Sequence, residues 1–232
     1  MNELLTCTAL TKKFGATTAL KGVDLTLTCG KIIGLLGPNG SGKTTFMKLA
    51  NGLLTPSSGE IMINGMPIGP ETKAVVSYLP DARYLPDWMK ILDLVNMFAE
   101  FYADFNPDKA KYMLESLNIM PDKRFKYLSK GNKEKVQLVL AMSREAQLYM
   151  LDEPIGGVDP AARDYILNTI ISNYSEHATV VISTHLIRDV ESILDEAIFI
   201  KEGEVVLHTS ADALRETQGM SMDEYFREVF RC

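Results

Sequence analysis

The chain has 232 residues, 46% of them hydrophobic and 23% charged, and its formal net charge is −6. This length suits one large domain or two small ones with a substantial core, and the composition is that of an ordinary folded protein. The acidic balance and the lack of a dense lysine and arginine block argue against nucleic acid as a partner.

The cysteines and the apolar runs indicate the cellular compartment in which the protein works. Cys7, Cys29 and Cys232 have no metal-ligand spacing, so reduced thiols are expected. The first residues do not resemble a signal peptide, and no apolar run approaches the roughly 20 residues of a membrane helix. We therefore expect a cytoplasmic protein.

Apolar and polar residues alternate over residues 4–10 and 23–28, which predicts half-buried strands joined through a loop that carries Phe14. Residues 32–36 form a continuous apolar run, which predicts a strand buried on both faces. A helix is then predicted over 44–53. Further strands are predicted at 61–63 and 75–79.

Residues 87–144 change in character, because their apolar residues recur at helical intervals. This block predicts helices at 88–105, 108–117 and 130–144, with its aromatic residues mainly in the core. Beyond it, strands alternate with helices again, which favours an α/β core with a largely parallel sheet. The predicted elements there are strands at 148–151 and 179–183, a helix at 160–174, a hairpin at 197–207 and two short helices at 210–230.

A glycine-rich loop joins the predicted strand 32–36 to the predicted helix 44–53. It reads Gly-Pro-Asn-Gly-Ser-Gly-Lys-Thr, the context of a P-loop, whose backbone N–H groups cradle phosphates at a helix N-terminus. It is therefore predicted to bind a nucleoside triphosphate, with Lys43 reaching the β- and γ-phosphates and Thr44 holding Mg²⁺. The other binding residues predicted here are Asn39, Gly40, Ser41, Gly42 and Thr45.

Two carboxylates end the predicted strand 148–151. Ligands in α/β folds bind at the C-terminal edge of the sheet, so Asp152 and Glu153 are expected to face the phosphates. Asp152 suits a Mg²⁺ ligand, and Glu153 suits a general base that polarises water. An Asp-Glu-Pro sequence can also simply end a strand, but the P-loop in the same chain favours the functional interpretation.

A second candidate anion site precedes the predicted helix 130–144, in the sequence Leu-Ser-Lys-Gly-Asn at 128–132. Ser129 can cap the helix, and its hydroxyl, Gly131 and the helix N-terminus together can bind an anion. A chain with a single P-loop needs only one such surface, so the second suggests a nucleotide shared between two copies. Alone the motif is weak, because Ser-x-Gly is common at helix starts.

The order of these motifs resembles the nucleotide-binding subunits of ATP-binding cassette (ABC) transporters, over nearly the whole chain. The loop 37–45 corresponds to the P-loop, 128–132 to the signature, 148–153 to the Walker B strand and 157–159 to the D-loop. The resemblance implies a P-loop NTPase core with a mainly parallel sheet, an N-terminal antiparallel β-subdomain and an inserted α-helical subdomain. It implies one ABC ATPase domain over 1–232, with the helical subdomain at about 87–144 and C-terminal helices at about 210–232.

The resemblance also implies an activity and partners. The protein would hydrolyse ATP with Mg²⁺ and drive a separate integral membrane subunit from the inner face of the cell membrane. Two copies, identical or related, would sandwich two ATP molecules, with the P-loop of one facing the signature of the other. The signature residues in that contact would be Ser129, Gly131 and Asn132.

Individual roles follow from the same resemblance. Glu153 would be the catalytic base, His185 would contact the γ-phosphate and orient the attacking water, and Lys43 would complete the catalytic set. Phe14 matches the aromatic residue that stacks on adenine. Asp159 in the D-loop would contact the partner copy.

Two positions depart from the family pattern. Asp81 stands where the family usually has a glutamine that joins the Mg²⁺ and water shell; an aspartate can still ligate Mg²⁺, so Asp81 is retained as a metal or water contact. The signature reads Ser-Lys-Gly-Asn instead of Ser-Gly-Gly-Gln, which retains Ser129 and Gly131. Lys130 and Asn132 resemble the variation in ATPase subunits of bacterial ABC-2-type exporters.

Two other functions remain open at this point. A soluble ABC ATPase acting on ribosomes or DNA usually has two cassettes or a long coiled-coil insertion, and this sequence has neither. A nucleotide sensor that no longer hydrolyses ATP would result if Asp81 and the altered signature had stopped turnover, although Glu153 and His185 are retained. The sequence does not indicate the cargo or the direction of transport.

Overall fold

The computed structural model describes residues 3–157 and 160–230. A six-stranded sheet forms its centre, built from β3 (Ile32–Leu36), β6 (Val76–Leu79), β7 (Leu148–Asp152), β8 (Thr179–Thr184), β9 (Glu196–Lys201) and β10 (Glu204–Ser210). The strand order is β10-β9-β3-β8-β7-β6, and every neighbouring pair is parallel except β9 and β10. The mainly parallel α/β core predicted from the sequence is confirmed.

The central strands are buried on both faces. Every residue of β3, β7 and β8 is buried, as their continuous apolar runs predict. Successive side chains of a strand point to opposite faces, and on β3 Ile33 and Leu35 enter one hydrophobic cluster while Ile32 and Leu36 enter the other. The sheet is therefore the middle layer between two cores.

A four-stranded antiparallel sheet and the helix α1 (Lys43–Ala50) cover one face. Its strands are β1 (Glu3–Phe14), β2 (Thr17–Thr28), β4 (Ser58–Ile63) and β5 (Met66–Pro67), in the order β2-β1-β4-β5. The loop predicted around Phe14 is wrong, because β1 and β2 stay paired up to Phe14 and Thr17. Both faces of this hairpin tip are largely exposed, so the alternation that marks a half-buried strand is missing there.

Helices cover the other face of the central sheet. They are α3 (Ile91–Phe101), α4 (Pro107–Ser116), α5 (Lys130–Met142), α6 (Pro160–Asn173), α7 (Ile187–Val190), α8 (Ala211–Gln218) and α9 (Met222–Val229), with 3₁₀ turns at Phe125–Tyr127 and Glu191–Ile193. The short helix α2 (Pro70–Ala74) precedes β6, and the residues on either side of it, Ile68 and Val75, pack on the opposite core. The helix predicted from residue 108 begins at Pro107, and Asn106 caps it, because Asn106 Oδ1 accepts the Lys109 N–H at 2.9 Å. None of the helices in the described ranges has the length and hydropathy to cross a membrane.

The aromatic residues of the block 87–144 are only partly in the core. Phe98, Phe105 and Phe125 are buried. The prediction is wrong for four others, whose exposed fractions are 65–75%: Trp88, Phe101, Tyr112 and Tyr127. Phe101 is the last residue of α3, and the buried face of this helix is formed by Ile91, Leu94, Val95 and Phe98.

Candidate functional site

The predicted P-loop connects β3 to α1 and is packed tightly against the antiparallel sheet and β9. Gly42, the N-cap of α1, has φ of +114°, and a Cβ there would lie 2.7 Å from the Ala19 carbonyl oxygen. A Cβ on Gly37 would lie 2.4 Å from the Ile200 carbonyl oxygen. Only glycine fits at these two positions, since any side chain would collide with backbone atoms.

The loop presents unpaired donors. The first N–H groups of any helix have no acceptor inside that helix, so the start of α1 can donate to an anion. The hydroxyl of Ser41 is buried and has no hydrogen-bond partner within the described part of the chain. A buried unpaired hydroxyl beside a helix N-terminus fits a phosphate group as its partner. Asn39 and Gly40 are exposed at the tip of the loop.

Lys43 and Thr44 occupy the predicted places on the first turn of α1. Lys43 is buried, and its Nζ donates to the carbonyl oxygens of Gly37 at 2.8 Å and Pro38 at 3.2 Å. Thr44 Oγ1 donates to Asp152 Oδ1 at 3.2 Å. The P-loop helix is thereby linked directly to the end of β7.

Asp152 is buried at the end of β7, where burial raises the pKa of its carboxyl group. Ser183 Oγ donates to its Oδ1 at 2.6 Å, and the Tyr78 hydroxyl lies 3.5 Å from its Oδ2. Burial and the charge of Asp152 raise the pKa of Tyr78, so the phenol stays a donor toward this carboxylate.

The chemistry of this donor set suits a hard cation. Carboxylate and hydroxyl oxygens are the ligands that Mg²⁺ prefers, and Thr44 and Asp152 provide one of each. Across residues 3–157 and 160–230, no group of three His, Cys, Asp or Glu side chains is close enough to hold a metal by itself. Mg²⁺ would therefore need phosphate oxygens from the nucleotide to complete its shell.

Glu153 has an unusual backbone conformation and meets two other predicted catalytic residues. Its φ is +50°, a left-handed value that few residues other than glycine adopt. Its N–H donates to the Ser183 carbonyl oxygen at 3.1 Å and to Ser183 Oγ at 3.0 Å, which holds this conformation. Both carboxylate oxygens lie 3.2 Å from His185 Nδ1, and Oε1 lies 3.4 Å from Lys43 Nζ.

Of the remaining predicted residues, Asp81 lies beside this centre and Phe14 lies on the β1–β2 hairpin. Asp81 is exposed and lines a cavity of about 140 Å³ together with Lys130, Asp152 and Glu153. Phe14 is 48% exposed near the tip of the β1–β2 hairpin, with Lys12 Nζ 5.1 Å from its ring centre.

The signature residues Ser129, Gly131 and Asn132 lie at the start of α5. Lys130 between them reaches the cavity beside Glu153 and donates to the Gly157 carbonyl oxygen at 3.3 Å. Ser129 Oγ accepts the Asn132 N–H at 3.3 Å, which confirms the predicted helix cap. A Cβ on Gly131 would meet no atom within 4 Å in the described ranges, so the surface there is open. Among the described residues, the hydrogen bonds of Ser129 and Asn132 stay at the start of α5 and do not reach the P-loop. The predicted partner contact at Asp159 lies outside the described residues.

Sequence reasoning missed two residues of the site, Ser183 and Tyr78. Asp152 and Ser183 face each other in the parallel pairing of β7 and β8. The available signal was a polar residue at the end of an apolar strand run. Tyr78 gave no such signal, because a tyrosine is an ordinary strand residue.

This chain is similar to known proteins of one family. A family model described as ABC transporter matches residues 20–156. EcsA, an ABC-type transporter ATP-binding protein of Bacillus subtilis (strain 168), is 30% identical, with 98% of this chain and 96% of EcsA covered. SsuB of Pseudomonas putida, an aliphatic sulfonates import ATP-binding protein, is 31% identical, with 91% and 78% covered.

The solved structure of an ATP-binding subunit of an ABC transporter is also similar. Its TM-score is 0.87 at 28% identity, and the match covers 98% of this chain and 100% of that chain. The chain therefore belongs to the ABC transporter family, as one of its ATP-binding subunits with ATPase activity.

Proposed function

We propose that two copies of this chain, or one copy and a related subunit, enclose ATP between them and use its hydrolysis to drive a membrane subunit. Each site would combine the P-loop, Asp152 and Glu153 of one copy with the signature residues 129–132 of the other. One observation carries this proposal. Lys43, Glu153 and His185 meet within one chain, whereas Ser129 is exposed at the start of α5 and, among residues 3–157 and 160–230, its hydrogen bonds stay within that helix.

The P-loop residues would bind the triphosphate. The N–H groups at the start of α1 and the unpaired Ser41 hydroxyl would donate to phosphate oxygens. Lys43 would exchange its bonds to the Gly37 and Pro38 carbonyls for the β- and γ-phosphates. Phe14, exposed on its hairpin, would stack on adenine, and the loop residues Asn39, Gly40, Gly42 and Thr45 would shape the cradle.

Mg²⁺ would be held by Thr44 and Asp152, with Asp81 as a further metal or water contact, and it would neutralise charge on the phosphates. Glu153 would accept a proton from the attacking water. His185, whose Nδ1 lies 3.2 Å from the Glu153 carboxylate, would orient that water against the γ-phosphate. Asn132, Gly131 and Ser129 of the second copy would bind the same phosphate.

The membrane subunit would dock on a groove between the core and the helical block. This groove has a volume of about 520 Å³, and its lining is mostly apolar. The groove borders the loop that carries Asp81, because Pro80 lines both this groove and the cavity of about 140 Å³ that Asp81 lines. Its lining includes Lys48, Leu53, Tyr78, Tyr84, Tyr102 and Arg144.

The whole chain would then act as one ABC ATPase domain at the inner face of the cell membrane. The helical subdomain would comprise residues 87–144, and the C-terminal helices would lie within 210–232. The ABC-2-type exporter subgroup remains a prediction from the Ser-Lys-Gly-Asn signature.

The experiment that tests the proposal uses Glu153→Gln, which removes the base and keeps its shape. ATP with Mg²⁺ is expected to drive this variant into stable dimers, because closure occurs without hydrolysis to reopen the pair. Light scattering after size exclusion would measure the dimers, and phosphate release would measure turnover. Normal turnover, or a monomer at saturating ATP, would contradict the proposal.

A further inference from the structure

Tyr78 touches two places that the proposed function keeps separate. It lies on β6, paired with Met150 on β7, so its side chain sits beside the end of the strand that carries Asp152. Its hydroxyl lies 3.5 Å from Asp152 Oδ2. The same side chain lines the groove of about 520 Å³ between the core and the helical block. One residue therefore spans the distance between the carboxylate and the groove.

The two oxygens of Asp152 are held unequally. Oδ1 accepts from Ser183 Oγ at 2.6 Å and from Thr44 Oγ1 at 3.2 Å. Among the described residues, Tyr78 is the one side chain within hydrogen-bond distance of Oδ2. If Thr44 turns toward Mg²⁺, Asp152 keeps only Ser183 and Tyr78. The orientation of the carboxylate then depends on the phenol.

Residues from three other parts of the chain line the groove together with Tyr78. Lys48 and Leu53 belong to the P-loop helix and the loop after it, and Tyr102 and Arg144 belong to the helical block. The Tyr102 ring stacks on the Arg144 guanidinium at 4.1 Å. A segment of the membrane subunit seated in this groove would contact the Tyr78 ring. The hydroxyl group of the same ring lies 3.5 Å from Asp152 Oδ2.

We propose that Tyr78 is a positioning residue that orients Asp152 for the metal and links the filling of the groove to metal binding. This inference rests on the proposed function, because it takes Asp152 to be a Mg²⁺ ligand. The contact at issue is the hydrogen bond from the Tyr78 hydroxyl to Asp152. It is distinct from the proposed metal or water contact of Asp81, three residues later in the chain. No proton transfer is assigned to Tyr78.

The first test measures metal binding instead of activity. Mn²⁺, which binds the same oxygen ligands as Mg²⁺, would be titrated into Glu153→Gln protein with ATP, and free Mn²⁺ would be read by electron paramagnetic resonance. Adding Tyr78→Phe is expected to weaken Mn²⁺ binding about threefold to tenfold, the size of one lost hydrogen bond. ATP affinity without metal is expected to stay unchanged. Equal Mn²⁺ affinity in both proteins would overturn the inference.

Two control variants separate the possible failures. Tyr102→Phe removes a hydroxyl from the same groove without touching Asp152, and Mn²⁺ affinity is expected to stay at the parent value. Asp152→Asn removes the proposed ligand and is expected to abolish high-affinity Mn²⁺ binding. If Asp152→Asn binds Mn²⁺ as its parent does, the metal assignment in the proposed function fails. If Asp152→Asn loses Mn²⁺ binding but Tyr78→Phe binds Mn²⁺ as its parent does, the proposed function stands and the inference is wrong.

The second test fills the groove. Leu53, which is 59% exposed at its rim, would be changed to cysteine in a Cys29→Ser, Cys232→Ser background and labelled with a bulky maleimide. Labelling is expected to change Mn²⁺ affinity at least about twofold when Tyr78 is present and to have no effect in Tyr78→Phe. An equal change in both proteins, or no change in either, would overturn the link between groove and metal.

Discussion

Lys43 Nζ lies 3.4 Å from Glu153 Oε1, so the lysine proposed for the phosphates and the carboxylate proposed as the base are already paired. Both side chains are largely buried, with exposed fractions of 5% and 13%. ATP has to displace this carboxylate from Lys43 and then sit beside its negative charge. The pair therefore opposes nucleotide binding.

Glu153→Gln is expected to tighten ATP binding about threefold to tenfold, because it removes one negative charge facing the triphosphate. Turnover is expected to fall at least about a hundredfold, the usual contribution of a general base. Titration with a fluorescent ATP analogue and phosphate release would measure the two effects. Glu60→Gln, on the exposed edge of β4, is the matched control. Weaker ATP binding in Glu153→Gln would contradict the role given to this pair.

His185→Ala is expected to lower kcat about a hundredfold and to change KM for ATP less than about threefold. The reason is that His185 contacts the Glu153 carboxylate, and its proposed partner is the water that attacks in the transition state. Steady-state kinetics would separate the two constants. His177→Ala, an exposed histidine before β8, is the control. A rise in KM with kcat unchanged would mean that His185 contributes to binding ATP and not to the hydrolysis step.

Phe14→Ala is expected to weaken ATP binding about fivefold or more, because stacking of a base on an aromatic ring is lost. Binding of tripolyphosphate, which has no base, is expected to remain unchanged. Isothermal titration with both ligands would measure the difference. Tyr127→Ala, an exposed ring in the helical block, is the control. An equal loss for both ligands would show that Phe14 supports the β1–β2 hairpin and does not stack on adenine.

The C-terminal helix α9 provides a prediction about stability and pH. Ser221 Oγ accepts the Glu224 N–H at 3.2 Å, and the Ser221 N–H donates to Glu224 Oε2 at 2.8 Å. Ser221→Ala is expected to lower the free energy of unfolding by about 1 kcal/mol. The helix packs on the core through Tyr225 and Phe199, so thermal unfolding would report the loss.

The hydrogen bond from the Ser221 backbone N–H lowers the pKa of Glu224 below its ordinary value. An acid whose pKa is lower in the folded state stabilises that state above its unfolded pKa and loses this effect as the pH falls through its folded pKa. The destabilisation caused by Glu224→Gln is therefore expected at neutral pH and should disappear in acid. A penalty that stays constant down to the acid limit would contradict this sign.

The sequence predicted much of this architecture because local patterns encode it. Continuous apolar runs marked β3 and β7, and the glycine spacing marked the P-loop. The collisions that exclude side chains at Gly37 and Gly42 involve Ile200 and Ala19, which are distant in the chain, so the spacing alone did not show them. The bonds of Tyr78 and Ser183 to Asp152 could not be predicted. They depend on which strands are neighbours and in which register, and β6, β7 and β8 are far apart in the chain.

The central claim is that a complete ATP site needs two chains, and a mixing experiment tests it most directly. Lys43→Ala removes the P-loop lysine, and Ser129→Arg blocks the signature, so each variant alone is expected to be inactive. A mixed dimer has one site with a native P-loop from one chain and a native signature from the other. Equal mixing is therefore expected to restore about a quarter of the wild-type ATPase rate. Where the wild-type chain alone hydrolyses ATP, a mixture no more active than its separate components, or full activity in Ser129→Arg alone, would contradict the account.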